Sequence, residues 1–317
     1  MVKRGFTLIE AIYVIVILSF ILIGGFQIIG KLYERNYIVK TTTKLEFDTQ
    51  TLLDQISGML YYRVPLSVIG YNQKTNDFEY IGEIIENEDY PILEWIGYLN
   101  DAMVEMNLSG FVDLYESKKP TIKAIDFNSA FINTILKNKF KSDENLTILS
   151  AIIFVGSFDR GEESALIDYN NSFGWHGNNA KLVYKIDEYT QNNNDCNLTL
   201  KESNGSEIKG ATIYEKFYLV DSAYAIALKK DLNLSKWNCD ISFDKFGDND
   251  LLLFYNYRPW KGESFCADGG NGSVTLLASN ITSFKVKKVN YHLEIKTSMF
   301  KSKQDINITI SKQKVTF

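Results

Sequence analysis

One acid, Glu10, stands directly before twenty residues, 11–30, that carry no charge. A carboxylate at the edge of an apolar membrane segment costs up to about 3 kcal/mol, so it needs a partner of opposite charge. No basic side chain lies within the segment. Cleavage between Gly5 and Phe6 would create an ammonium on Phe6 about one helical turn from Glu10. That ammonium could pair with Glu10 of the same chain or of a neighbouring chain.

Residues 11–30 form the element that must position these groups. Twenty helical residues span about 30 Å, the thickness of the hydrocarbon core of a bilayer, so the segment is predicted to cross a membrane as one helix. Gly24 and Gly25 interrupt it. Each glycine costs about 1 kcal/mol relative to alanine in a helix. The pair indicates local melting or close helix contact, or is an ordinary feature of membrane helices.

The N-terminal stretch resembles the class III signal of type IV pilins and type II secretion pseudopilins, in the residues Arg4-Gly5-Phe6-Thr7-Leu8-Ile9-Glu10. The resemblance implies that a membrane-embedded prepilin peptidase cuts after Gly5 on the cytoplasmic side and methylates the amine of Phe6. It also implies that Glu10 neutralises the N-terminus of a neighbouring subunit as the helices bundle into a filament. Only about the first thirty residues carry this close match.

A conventional secretory signal and a plain membrane anchor are the alternatives for the N-terminus. A secretory signal rarely places an acid at the head of its apolar run, and no A-x-A-like cleavage site follows. A plain anchor would need neither the Gly-Phe junction nor Glu10.

Beyond Gly30 the helix is predicted to continue as an amphipathic one that ends before Pro65. Its apolar positions recur at helical spacing and are Leu45, Leu52, Leu53, Ile56, Met59 and Leu60. A proline disfavours helical geometry at the residue before it. A helix over residues 6–63 would be about 85 Å long, with its second half packed against a globular head.

Strand patterns dominate the second half of the chain. They cover residues 147–155, 182–186, 211–220, 223–228, 251–257, 273–277, 281–289, 291–299 and 306–310. A long helix followed by antiparallel strands predicts an α+β fold. The closing strand pattern is similar to that of large J-type minor pseudopilins and W-type minor pilins.

The predicted organisation has five parts. They are a leader peptide (1–5), a transmembrane or filament-core helix (6–30), an amphipathic helix of the head (31–64), an irregular and helical insertion (65–145) and an antiparallel β-rich head (146–317). Within the insertion, residues 126–140 show a helical pattern with Asp126 as a possible cap.

Composition agrees with a globular head, since 45% of the residues are hydrophobic and 23% are charged. The net charge of −5 becomes −7 once Lys3 and Arg4 are lost with the leader. No basic patch is interleaved with exposed aromatic residues, so direct nucleic-acid binding is not predicted.

No catalytic constellation and no cofactor motif is visible. Phosphate-binding glycine loops and nucleophile elbows are absent from the sequence. The two histidines, His176 and His292, lack the partners of a zinc site, and no metal site is predicted. Asp244, Asp248 and Asp250 lack the spacing of a calcium loop and are read as a solvated turn. Tyr255, Tyr257 and Trp260 are a possible binding face, although core packing is favoured.

Three cysteines, Cys196, Cys239 and Cys266, fall in the half that the membrane helix would export. Disulfides persist in such an oxidising compartment. Three pairings are possible, and Cys239 with Cys266 is favoured because the two flank the apolar run 251–257. Three free buried thiols are the alternative.

Nine N-x-[ST] sites occur, and seven of them have an acid two residues before the asparagine. The seven are Asn107, Asn145, Asn170, Asn197, Asn204, Asn233 and Asn307. With 39 acids among 317 residues, about one such case is expected by chance. The pattern resembles the extended acceptor of bacterial N-linked glycosylation and implies an oligosaccharyltransferase as a partner. A composition rich in asparagine, with coincidental acids, is the alternative.

These features together predict a minor pilin or pseudopilin without enzyme activity, held in the bacterial inner membrane by one helix, with its N-terminus cytoplasmic and its head periplasmic. The predicted partners are the prepilin peptidase, other pilin-like subunits, an inner-membrane assembly platform and membrane lipid. The alternative is a membrane-anchored periplasmic binding protein or tip adhesin.

Overall fold

The structure, a computed structural model, describes residues 7–84, 90–105, 107–158, 169–208, 212–289, 292–303 and 306–316. Its first element, α1, is one helix of 54 residues, Leu8–Tyr61. The helix ends before Pro65, as the sequence predicts. It is continuous through Gly24 and Gly25, where the sequence indicated a possible interruption. Its buried side chains occur only in the second half, from Thr41 onward. The first half therefore stands outside the head.

Four helices and fourteen strands, apart from short 3₁₀ turns, make up the described ranges. After α1 they are β1 (Ile69–Asn72), β2 (Asp77–Tyr80), β3 (Ile92–Tyr98), α2 (Asn100–Val104), β4 (Leu108–Lys118), β5 (Thr121–Phe127), α3 (Ser129–Phe140), α4 (Leu146–Leu149), β6 (Ala151–Phe154), β7 (Tyr184–Asn192), β8 (Asp195–Glu202), β9 (Phe217–Leu228), β10 (Leu251–Tyr257), β11 (Ser273–Ala278), β12 (Ile281–Val289), β13 (His292–Lys303) and β14 (Ile306–Thr316).

The strands form two antiparallel sheets. The larger has the order β2-β1-β3-β9-β6-β7-β8-β5-β4, and β10 also pairs with β9 and carries β11 on its other edge. The smaller has the order β12-β13-β14. A long helix with a mainly antiparallel head confirms the predicted α+β fold.

The second half of α1 packs one face against side chains of both sheets. Leu53 and Ile56 are fully buried there, in one cluster with Trp95 of the large sheet and Ile295 of the small one. Burial of a leucine-sized side chain contributes about 1.5–3 kcal/mol. This packing fixes the helix rigidly to the head.

The description of residues 65–145 as irregular and helical is wrong, because five strands, β1–β5, lie there. The strand β3 pairs with β9 in the middle of the large sheet and is buried at six of its seven residues. A strand covered on both faces has no alternation, so its pattern resembles any other apolar run. Local periodicity therefore missed the strand.

The strand β4 returns to the beginning of β9, so that six strands curve around one core. Phe111 forms an isolated antiparallel bridge with Lys216, and the Val112 N–H donates to the carbonyl of Glu215 over 2.8 Å. The enclosed cluster includes Phe127, Leu198 and other apolar side chains of β4, β5 and β6 to β9.

Other boundaries also differ from the predictions. The helix α3 is capped by Asn128, whose Oδ1 accepts from the Phe131 N–H over 3.0 Å, and Asp126 belongs to β5. The run 147–155 begins as α4 because Asn145 caps it, and becomes a strand only at Ala151. The strand β8 was not predicted, and the two strands predicted at 211–220 and 223–228 are replaced by the single strand β9.

Candidate functional site

Glu10 lies at the third position of α1 and closes a capping box with Thr7. The Thr7 N–H and the Thr7 hydroxyl each donate to Glu10 Oε2 over 2.9 Å, and the Glu10 N–H donates to Thr7 Oγ1 over 3.4 Å. This arrangement satisfies backbone donors that a helix N-terminus otherwise leaves unpaired. Sequence reasoning missed the role, although Thr-x-x-Glu before an apolar run is its signal.

The capping hydrogen bonds leave part of the hydrogen-bonding capacity of the Glu10 carboxylate unused. A carboxylate offers about four lone-pair sites, and both Thr7 bonds go to one oxygen, so Glu10 keeps capacity for an ammonium donor. Glu10 is exposed, as is Thr7 beside it. The predicted cleavage junction between Gly5 and Phe6, and the predicted methylation of Phe6, lie outside the described residues.

The apolar segment that follows Glu10 is uncovered. Large hydrophobic side chains along it are exposed, including Phe20 at 73% and Phe26 at 70%. The helix Leu8–Tyr61 is, within the described residues, the one long and apolar enough to cross a membrane. An uncovered apolar surface of this extent marks a membrane or protein contact.

The cysteines divide into one pair and one free thiol. A disulfide joins Cys239 to Cys266, the pairing that the sequence favours, with their Cα atoms 4.9 Å apart. The two cysteines are 27 residues apart in the sequence. Closing a loop of this length stabilises the fold by about 3–4 kcal/mol, because it lowers the conformational entropy of the unfolded chain. Cys196 is free and buried in β8, and burial raises the pKa of its thiol to about 11. The thiol therefore stays neutral and unreactive.

A buried ion pair lies at the centre of the head. Glu94, in the middle of β3, is fully buried, and its two carboxylate oxygens have different partners. The imidazole Nε2 of His176 lies 2.8 Å from Oε1, and the Tyr257 hydroxyl donates to Oε2 over 2.6 Å. Since a buried charge without a partner costs several kcal/mol, the two contacts are essential to this packing.

The same histidine connects the ion pair to the disulfide loop. The Tyr71 ring stacks on the His176 ring with centroids 3.6 Å apart, and the Tyr71 hydroxyl donates to Asp268 over 3.1 Å. Asp268 follows Cys266 by two residues and also accepts from Lys236 Nζ over 3.0 Å. His176 Nδ1 is 3.6 Å from Asp268, an electrostatic contact longer than a hydrogen bond.

The charge of His176 is set by these neighbours. Burial alone would lower its pKa, but the negative charge of Glu94 and the contacts with Asp268 and Glu94 outweigh burial and raise it to about 9. Its side chain is only 6% exposed, so no substrate reaches it. Glu94, His176 and Tyr257 are thus buried members of this network, and their contacts contribute to stability. Within the described ranges, no group of three or more acidic, histidine or cysteine side chains is placed to hold a metal ion.

The other side chains singled out in the sequence have structural surroundings. Tyr257 and Trp260 are buried, so they belong to the core and do not form a binding face. Asp250 accepts from the Gly247 N–H over 2.8 Å within the acidic turn. A small cleft near Tyr62 and Lys139 has a volume of about 190 Å³. Ligand pockets usually exceed roughly 300 Å³, so this cleft is smaller than a typical ligand site.

The seven asparagines with a preceding acid fall into two groups. Asn170, Asn204 and Asn307 are exposed, whereas Asn107, Asn145, Asn197 and Asn233 are half-buried. Asn204 lies in the turn after β8, where the Ser206 N–H donates to its Oδ1 over 2.7 Å. The Oδ1 of Asn145 accepts from both the N–H and the hydroxyl of Thr147.

Searches of protein-family models, curated proteins and solved structures find no match to this chain. The resemblance to pilins therefore depends on the N-terminal residues and, more weakly, on the closing strands.

The His176–Glu94 pair should make stability depend on pH. The pKa of His176 rises from about 6.5 in the unfolded chain to about 9 in the folded chain, so its protonated form stabilises the fold at low pH and this contribution is lost as the pH passes 9. We expect the free energy of unfolding to fall by up to about 3 kcal/mol between pH 6.5 and 9.5. Urea unfolding of the full chain in detergent, followed by tryptophan fluorescence, measures this.

The control is the double variant Glu94→Gln/His176→Gln, which keeps similar shapes but removes both charges. Its stability should change little over the same pH interval. An equally steep fall in the double variant would show that other groups cause the pH dependence.

Proposed function

We propose that this chain is a minor pilin or pseudopilin, a structural subunit that primes or tips a short filament. The observation that supports this most is an uncovered apolar helix with one carboxylate, Glu10, at its N-terminal end. The same helix continues without a break into the core of the head. A subunit built this way can bury its free half only among lipids or among other helices.

Processing would supply the partner for Glu10. By resemblance, a prepilin peptidase cuts after Gly5 and leaves a methylated ammonium on Phe6. Glu10 of one subunit would then accept this ammonium from its neighbour, while its bonds from Thr7 hold the carboxylate in place. The pair would neutralise two charges within the apolar bundle, where each alone is costly. An inner-membrane platform would move the growing bundle outward.

The size of the head favours a minor position. Its two sheets both pack on the buried face of the second half of α1, so the head is much wider than the helix that carries it. Repeating such a head along a tightly wound filament would crowd neighbouring heads. A place at the tip, or at the start of assembly, avoids this crowding.

The proposed orientation has a cytoplasmic N-terminus and an external head. The disulfide between Cys239 and Cys266 supports it, because disulfides persist outside the cytoplasm. The distribution of basic residues on the two sides of the apolar segment does not support this orientation. Two basic residues precede the apolar segment, and four follow it closely, namely Lys31, Arg35, Lys40 and Lys44. Basic residues usually remain on the cytoplasmic side, so those on the head side need a separate explanation.

The external head would also carry N-linked glycans, provided that the host has the oligosaccharyltransferase. The exposed acceptors Asn170, Asn204 and Asn307 are the sites that a folded chain could offer. Asn204 is favoured, since a turn presents it and its amide donates to the preceding acid, Glu202, over 3.4 Å.

The ionic role of Glu10 can be separated from its capping role. Glu10→Gln keeps an acceptor for the Thr7 N–H but removes the charge, whereas Thr7→Ala removes the cap and keeps the charge. We expect Glu10→Gln to be cleaved normally and to lose filament incorporation, because no carboxylate remains for the ammonium. Thr7→Ala should be incorporated nearly as well as the wild type. Immunoblots of cell and sheared-filament fractions measure both steps.

If Thr7→Ala lost incorporation as completely as Glu10→Gln, the contribution of Glu10 would be the helix cap and not the charge pair. Normal incorporation of Glu10→Gln would contradict the pairing mechanism itself.

Glycosylation can be tested by intact mass in cells that contain a bacterial oligosaccharyltransferase. We expect Asn204→Gln to lose the mass of one glycan, because Asn204 is exposed in a turn. Asn197→Gln, a matched change at a half-buried position of β8, should leave the mass unaltered. Unmodified wild-type protein in such cells would contradict the proposal, as would a loss of glycan in Asn197→Gln alone.

A further inference from the structure

A polar pocket opens where the end of β5 meets the turn between β7 and β8. Its volume is about 260 Å³. Its described lining consists of amide and carboxyl side chains, namely Asn107, Asp126, Asn128, Gln191, Asn193 and Asn194. Drug-sized ligands usually occupy roughly 300–1,000 Å³, so this pocket suits a smaller molecule.

One amide of the lining, Gln191, forms a rigid support for the pocket. Its Oε1 accepts from the N–H and the hydroxyl of Ser129 over 2.9 and 2.7 Å. Its Nε2 lies 2.8–3.0 Å from three backbone carbonyl oxygens, those of Phe127, Asn193 and Asp195. The Gln191 amide is therefore fully used, and it fixes the turn between β7 and β8 against β5 and α3.

Two further amides, Asn128 and Asn107, extend this support. The Asn128 Nδ2 donates to Asn107 Oδ1 over 3.4 Å, and its Oδ1 caps α3. The Asn107 Nδ2 donates to the carbonyl of Glu105 over 2.8 Å. An amide NH₂ group has two hydrogens, so each of these side chains keeps one donor for a ligand.

The other three side chains of the lining are exposed, and none of them has a hydrogen bond to another side chain or backbone group among the described residues. They are those of Asp126, Asn193 and Asn194. The backbone of Asp126 and of Asn193 is left-handed, with φ of 45° and 53°. Aspartate and asparagine tolerate this conformation better than most residues. A fixed backbone therefore presents one carboxylate and two amides that the protein itself does not use.

These open groups select a neutral ligand rich in hydroxyl groups. A carboxylate accepts hydrogen bonds and an amide both donates and accepts them, which matches hydroxyl groups that do both. The negative charge of Asp126 disfavours an anion, and the described lining offers no apolar side chain to an apolar ligand. Calcium takes six to eight oxygen ligands and binds more tightly as the number of charged ligands rises, whereas this lining has one carboxylate.

We propose that this pocket binds one ring of a neutral sugar. The Asp126 carboxylate would accept from two adjacent hydroxyl groups, and the amides of Asn193 and Asn194 would bond to other oxygens of the ring. Because Gln191 holds the turn in place before the ligand arrives, little ordering is needed on binding. The inference concerns the head alone and goes beyond the proposed filament role, on which it does not depend.

The test is saturation-transfer difference NMR of the full chain in detergent. The chain is produced in cells without an oligosaccharyltransferase, so that no glycan on Asn107 occupies the pocket. The probes are the methyl glycosides of glucose, galactose and mannose, together with N-acetylglucosamine. We expect at least one of them to bind with a Kd on the order of 1 mM, because a few hydrogen bonds without aromatic stacking hold the ring.

The variant Asp126→Asn/Asn193→Gly removes the charge and one open amide, and both new residues tolerate a left-handed backbone. It should weaken sugar binding at least about tenfold, since hydrogen bonds to a charged group are the stronger ones. The matched control is Asn280→Gly, at another left-handed position, with φ of 63°, that is not on the lining. It should bind sugar as the wild type does. Thermal unfolding checks that the variants are folded, and Asn194→Ala replaces the double variant if that variant unfolds.

Failure of every probe to bind would overturn the sugar site, as would wild-type affinity in the double variant or an equal loss in Asn280→Gly. Thermal stabilisation by calcium chloride that Asp126→Asn abolishes, without sugar binding, would identify a cation site instead and would also overturn it. None of these results bears on the filament proposal, because Glu10 and the N-terminus take no part in the pocket.

Discussion

The first half of α1 imposes the constraint on which the rest of the structure depends, because its apolar side chains have no cover in the isolated chain. Twenty uncharged residues cannot remain in water, and the head leaves them no groove. One carboxylate, Glu10, marks the end at which this surface begins. The capping box with Thr7 makes that carboxylate part of the helix, so its position is fixed before any partner arrives.

The head holds the second half of the same helix rigidly in place. Both antiparallel sheets pack against one face of its second half, where Leu53 and Ile56 are completely buried. The buried pair of Glu94 with His176 and the disulfide at Cys266 tie the large sheet to its loops. A displacement of the apolar half of α1 would therefore be transmitted to the head without a hinge, as the proposed assembly requires.

The sequence predicted correctly those elements whose formation depends on neighbouring residues. The end of α1 follows from Pro65, and β10 and β12 match residues 251–257 and 281–289 because their apolar positions are continuous or alternate. The strand β3 was missed because it is buried on both faces and its sequence does not alternate. The ion pair of His176 was missed because Glu94 is distant in sequence and only the fold brings the two together. The Thr-x-x-Glu pattern indicates the capping role of Glu10, which was not among the predictions.

The central claim is that Phe6 becomes the N-terminus that Glu10 of a neighbour accepts. The most direct test is mass spectrometry of the mature N-terminus in cells with and without a prepilin peptidase. The account predicts a chain that starts at N-methylated Phe6 only when the peptidase is present. An intact Met1 in both strains, or a start near Gly25, would identify a plain anchor or a secreted protein and would contradict the account.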